Sequence, residues 1–159
     1  MNPYASYLGG RDPIDVMRRT PDELQRLLDG ISADAMNAPT APGKWSLREI
    51  LAHLADCEVN WAARIRHVLE TPGVTIIPFD QDAWATRYAV YPADLALQTF
   101  LTLRAWNLAL LTTVTDVEKG NIVTHPERGT FPLSELLELI GGHDRNHIVR
   151  LEELLQRRA

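Results

Sequence analysis

A chain of 159 residues suits one domain, spanning 1–159, with a full hydrophobic core, and excludes two independent domains or a scaffold that needs disulfides. Apolar residues make up 45% and charged residues 23%, which rules out a disordered chain. The net charge of −5, from 21 acidic and 16 dispersed basic residues, leaves no basic stripe for nucleic acid. Cys57 is the single cysteine, so CxxC redox and zinc-ribbon chemistry are excluded. No signal-peptide pattern occupies Met1 to Arg11 and no run of 18 apolar residues occurs, so the reading predicts a cytoplasmic protein with no membrane span.

Strand signals are nearly absent and helix signals recur, which predicts an all-α chain. Asp12 before Pro13 starts a short helix; Thr20-Pro21-Asp22-Glu23, a capping box with proline at the first helical position, starts another that Gly30 stops. Pro39 and Pro42 make residues 37 to 44 a connector. Ser46-Leu47-Arg48-Glu49 caps a long second helix to about Glu70, with Ile50, Leu54, Cys57, Trp61, Ile65 and Val68 as its buried stripe.

A short helical turn is predicted around Asp82 to Thr86. Tyr91-Pro92-Ala93-Asp94 opens the third helix, which Leu95, Phe100, Leu103, Trp106, Leu110 and Val114 carry to about Thr115. Residues 116 to 131 read as a loop, and the fourth helix runs from Pro132 or Leu133 to Arg157. Four helices of this kind predict an antiparallel four-helix bundle whose interior can hold a ligand or metal.

The chemistry concentrates in the fourth helix. Its stripe is Leu133, Leu136, Leu137 and Ile140, then Leu151, Leu154 and Leu155, and His143 and His147 fill the gap between. Four residues apart, the two imidazoles share one helix face at a separation one ion can bridge. His53 lies at the buried stripe of the second helix. Three unpartnered buried rings would cost about 1–3 kcal/mol each, and one divalent cation satisfies them together. Three imidazoles and an open position make a catalytic rather than a structural site.

Glu49, Asp56, Asp144 and Asn146 stand where they could orient the ligating rings or simply be solvated helix surface. Cys57, four residues from His53, is permitted by spacing as a thiolate ligand, and reads more naturally as a small buried hydrophobe. Gly141-Gly142 costs about 1 kcal/mol per residue in a helix, which the close approach of another segment or a local bend would explain.

Gly43-Lys44-Trp45-Ser46-Leu47-Arg48-Glu49-Ile50-Leu51-Ala52-His53-Leu54-Ala55-Asp56, with His143-Asp144-Arg145-Asn146-His147, resembles the DinB-like superfamily of metal-binding four-helix bundles. Ile76-Ile77-Pro78-Phe79-Asp80-Gln81-Asp82-Ala83-Trp84-Ala85 and His125-Pro126-Glu127-Arg128-Gly129 resemble its bacillithiol S-transferase-like branch. The likeness runs from about residue 13 to 155.

The resemblance implies His53, His143 and His147 as ligands of a divalent metal, zinc or nickel, and a homodimer. It implies a low-molecular-weight thiol, bacillithiol or mycothiol, joined to a small electrophile, with the metal activating the thiol. A metal-dependent hydrolase that would take Asp56, Asp80 or Glu49 as base, and a non-catalytic metal- or ligand-binding bundle, are the competing classes. Asp80 and Trp84 are expected at the mouth of the pocket, with the third helix as a wall. On this reading the nucleophile is external, and Cys57→Ala keeps the metal.

Overall fold

The computed structural model describes residues 2–156. In chain order it forms α1 (Ala5–Leu8), α2 (Pro13–Leu28), α3 (Ala33–Asn37), α4 (Leu47–Glu70), α5 (Gln81–Ala85), a 3₁₀ turn (Tyr88–Val90), α6 (Ala93–Leu111), α7 (Asp116–Lys119), β1 (Ile122–His125), β2 (Gly129–Pro132) and α8 (Leu133–Gln156). The long helices α2, α4, α6 and α8 make a four-helix bundle in which α4 packs on α6 and α2 on α8. The expected end of the last helix at Arg157 lies outside the described residues. Among the described residues no helix is long and apolar enough to cross a membrane.

The capping signals place most helix starts. Asp12 accepts from the Asp15 N–H at 2.9 Å with Pro13 behind it, and Ser46 and Glu49 close a reciprocal capping box on α4. At Thr20-Pro21 the expectation of a new helix fails, because α2 runs straight through Pro21. Pro21 has no N–H for the Met17 carbonyl one turn back, and the guanidinium of Arg104 donates to that carbonyl at 3.0 Å instead. The Thr20 hydroxyl, buried and 2.9 Å from the Val16 carbonyl, does no capping.

Of the apolar residues that carry the expected third helix, α6 fully buries only Phe100. Ala96, Phe100, Arg104, Asn107 and Leu111 point inward, whereas Leu95 and Trp106 are 53% and 67% exposed. The helix is apolar nearly all round, so apolarity cannot choose its face. Arg104 and Asn107 choose it, because each finds polar partners in the interior.

The expected loop at 116–131 instead holds α7, closed by a Thr115–Glu118 capping box, and a hairpin pairing Val123 with Phe131 and His125 with Gly129. Four-residue strands are too short to show a run of alternation. The hairpin extends the core: Val123 is buried, and β1 exchanges backbone hydrogen bonds with Val74 and Ile76. That pairing holds the segment leading to Phe79 and Gln81 against the bundle.

Two apolar clusters fill the interior. One gathers Met17, Cys57, Trp61 and Ile65 with Leu133 to Ile140; the other gathers Leu24, Leu51, Leu54, Phe100, Ile148 and Leu151. Their junction falls between Leu54 and Cys57 on α4 and between Ile140 and Ile148 on α8. Buried polar side chains occupy that layer.

The Gly141-Gly142 pair is explained by close approach. A Cβ on Gly142 would stand 2.7 Å from the Tyr4 carbonyl oxygen, and one on Gly141 3.0 Å from Pro13 Cα. The N-terminal segment thus lies directly on α8.

Candidate metal centre

At the junction of the two clusters, α4 and α8 bring His53, Cys57, His143 and His147 together. The Nε2 atoms of His53 and His143 are 3.1 Å apart. Cys57 Sγ stands 3.5 Å from His53 Nε2 and 4.0 Å from His143 Nε2. The His147 ring is 4.5 Å from that of His143 and 5.0 Å from that of His53, centre to centre.

Aromatic rings enclose the group. Phe79 stacks near-parallel on His53, Trp45 leans on it at 5.2 Å, and Tyr4 meets His143 edge-on at 5.4 Å. His53 Nδ1 lies 3.3 Å from the Tyr88 hydroxyl. Burial, helped by His143, drives the His53 pKa from its ordinary 6.5 to about 3. Burial, then His143 and His53, pushes His147 well below its ordinary value. Burial raises the Cys57 thiol, and Asp144 and Glu58 add to the rise. Without a cation His53 and His147 are held neutral by burial, and the three rings and the thiol crowd one another.

The donor set fits a divalent ion. Tetrahedral zinc-like coordination separates two imidazole nitrogens by about 3.3 Å and a nitrogen from a thiolate sulfur by about 3.6 Å. The observed 3.1, 3.5 and 4.0 Å lie within a few tenths of those spacings. The buried Nδ1 of His143 has no hydrogen-bond partner, and the Asp144 carboxylate is 4.0 Å away. With a proton on Nδ1, the Nε2 lone pair faces inward.

Two cavities reach the group. One of about 140 Å³ is lined by His53, Cys57 and His143 with Arg64, His125 and Arg128. The other, of about 480 Å³, is lined by His147, Trp45, Asp82, Asn146 and Arg150. Tyr4 and Gln81 border both.

A family model described as the DinB superfamily matches residues 17–149. The chain belongs to the DinB superfamily. Among its DinB relatives, YfiT of Bacillus subtilis is 30% identical over 91% of this chain and 83% of its own length. A Geobacillus kaustophilus relative is 28% identical over 92% of this chain and 84% of its own. Both carry provisional names as metal-dependent hydrolases. A solved YfiT structure superposes with a TM-score of 0.83 at 26% identity, covering 91% of this chain and 85% of that one. It is described as "a probable metal-dependent hydrolase with an unusual four-helix bundle topology".

Within this DinB bundle, the residues named from sequence divide. His53 and His143 bring their ligand atoms together, and the His147 ring packs against both without joining the trio of ligand atoms within 4.8 Å. Cys57, read as a small hydrophobe, completes that trio with its sulfur on two of the imidazoles. Asp80 is exposed, and its carboxylate caps α5 by accepting from the Ala83 N–H. Trp84 is 40% exposed and lines a separate groove, reaching His53 only through Phe79, on which it packs edge-on at 4.8 Å. Gln81 and Phe79 take the expected places of Asp80 and Trp84, and α6 lines neither cavity. Asp56 is half-buried, its carboxyl raised by burial, and lies outside both linings. Glu49 serves the α4 cap.

Asp144 is neither ring-orienting partner at bonding distance nor surface. It is buried in an ion pair with Arg104, which also binds Glu58 at 2.7 Å. Burial alone would raise its carboxyl, but Arg104 and the hydrogen bonds outweigh that and hold it low. Sequence reasoning also passed over Arg64, buried on α4 with Nε unpartnered, and gave His125 no role although its block carried the resemblance. An arginine within the apolar stripe of α4 was the available signal for Arg64.

Proposed function

We propose that this chain is a metal-dependent hydrolase acting on small ester or amide substrates, with a divalent ion, zinc or nickel, held by His53, His143 and His147. The observation that supports it is the convergence of the Nε2 atoms of His53 and His143 at 3.1 Å beside an orphaned Nδ1, at the floor of a cavity. A divalent ion there supplies Lewis acidity, polarising the oxygen it meets and lowering the pKa of a water.

The chain's own groups do the rest. Trp61, Phe79 and Leu139 line the smaller cavity and keep bulk water from the reacting atoms. Arg64 and Arg128 line it too and bind an anionic end of the substrate. Glu127 N–H donates to His125 Nδ1 at 3.1 Å, so the proton of the neutral ring sits on Nε2, where it serves as a hydrogen-bond donor. Burial, with Arg64 and Arg128 adding to it, lowers the His125 pKa and keeps the ring neutral.

One observation favours a second reading. Two cavities that share Tyr4 and Gln81 offer room for two reactants, as joining a low-molecular-weight thiol such as bacillithiol to an electrophile requires. The test uses protein purified without a histidine tag, assayed for metal and then against an ester and amide panel with and without thiol. Metal-dependent, thiol-independent cleavage is expected. Turnover only with thiol would replace hydrolysis with transfer, and metal binding without turnover would leave a binding bundle.

A further inference from the structure

We propose that Cys57 is itself a ligand of the ion, as a thiolate, so that the centre is a mixed sulfur–imidazole site. This rests on the reading of the histidines as a metal centre, but not on hydrolysis; with four protein ligands, a water or substrate oxygen would enter by a fifth position or by displacing a ligand.

The argument begins with position. Residues 53 and 57 are one turn apart on α4, which puts the sulfur directly beside the His53 ring, 3.5 Å from Nε2. It then stands 4.0 Å from the Nε2 of His143, on the other helix. His53, Cys57 and His143 thus present ligand atoms all within 4.8 Å of one another, the one such trio among the described residues. Cys57 has neither a disulfide partner nor exposure to justify a thiol in this layer, being 3% exposed.

The second argument concerns direction. His53, Cys57 and His143 line the smaller cavity, whereas His147 lines the larger one and is the least buried of the four. The sulfur therefore stands on the side of the smaller cavity, and His147 stands on the side of the larger one. On binding, the S–H bond breaks, a metal–sulfur bond forms and the proton leaves to solvent. A thiolate lowers the charge of the centre from +2 to +1 and favours soft, thiophilic ions.

Cobalt(II) is the probe, because thiolate ligation gives a sulfur-to-cobalt charge-transfer absorption in the near ultraviolet that imidazole ligation lacks. Metal-free full-length protein is titrated with cobalt(II), alongside Cys57→Ala and Cys57→Ser. The wild type is expected to bind one cobalt per chain and show the band. Cys57→Ala should lose the band, keep the visible d–d absorption of the histidine-bound ion, and bind about tenfold or more weakly. Stoichiometric cobalt without the band in the wild type, or a band that survives in Cys57→Ala, overturns the proposal. The wild-type spectrum decides even where a variant fails to fold. No cobalt binding at all would overturn both this ligand and the metal centre; the band without ester or amide cleavage would sustain the ligand and remove the hydrolase.

Discussion

Two buried polar groups lie side by side in the middle of this bundle, and they are built on opposite principles. Around Arg104, nearly every polar atom is matched. Its guanidinium reaches Asp144, Glu58 and the Met17 carbonyl; Asn107 donates to Glu58 at 3.0 Å, and Arg66 donates to Asn107 at 3.0 Å. Those contacts tie α2, α4, α6 and α8 together. Around His53, by contrast, the rings and the thiol have chiefly one another for partners, with the Nε2 atoms of His53 and His143 3.1 Å apart, and the Nδ1 of His143 is unpartnered. A satisfied buried network specifies the fold, and an unsatisfied one marks where something from outside is to be bound.

The largest effect is expected where the satisfied group is broken. Arg104→Met leaves two carboxylates buried without a cation and should cost about 3–5 kcal/mol, read as a lower urea midpoint with or without metal. The histidine group should respond the other way round. His53→Ala leaves the metal-free protein close to wild type, yet it should forfeit the stabilisation by metal, about 4 kcal/mol at a thousand times Kd. Melting curves with metal and with chelator, run on both variants, separate the two. A metal-free His53→Ala as unstable as Arg104→Met would erase the distinction.

The distinction was only half legible in the sequence. The histidines stood out because His143 and His147 interrupt an apolar stripe at a ligand spacing, and the capping residues Asp12 and Ser46 placed α2 and α4. The Arg104 network did not stand out, because its partners come from three other helices and no spacing along the chain brings them together. The same long-range pairing turned Arg104 and Asn107 of α6 inward and carried α2 through Pro21. The hairpin escaped because its four-residue strands show no run of alternation and β1 is also held by backbone bonds to Val74 and Ile76, some fifty residues earlier in the chain.

Smaller effects sharpen the picture. Gly142→Ala forces a Cβ to 2.7 Å from the Tyr4 carbonyl, and the overpacking, about 1–3 kcal/mol, should outweigh the roughly 1 kcal/mol gained in helix propensity. Urea unfolding reads the difference, and a stabilised variant would show that the N-terminal segment does not hold its place on α8.

Acid should destabilise the metal-free protein through its histidines. With His53 held near 3 in the folded state against an ordinary 6.5, the unfolded chain binds more protons between those values. Stability from this group is full above 6.5 and falls as the pH drops toward 3; His53→Asn should flatten that slope in urea midpoints taken across the range. Trp106→Gln, on the exposed face of α6, should change stability by no more than about 0.5 kcal/mol, and a larger loss would mean that this face is covered.

The seat of Tyr4 against Gly142 has a practical side. Because that tyrosine also borders both cavities and meets the His143 ring, the segment around Tyr4 is one wall of each cavity. A fusion partner, purification tag or proteolytic trim at that end is therefore an intervention in the shape of the cavities. Assays on such preparations would compare chambers of different shape rather than the same protein carried in different ways.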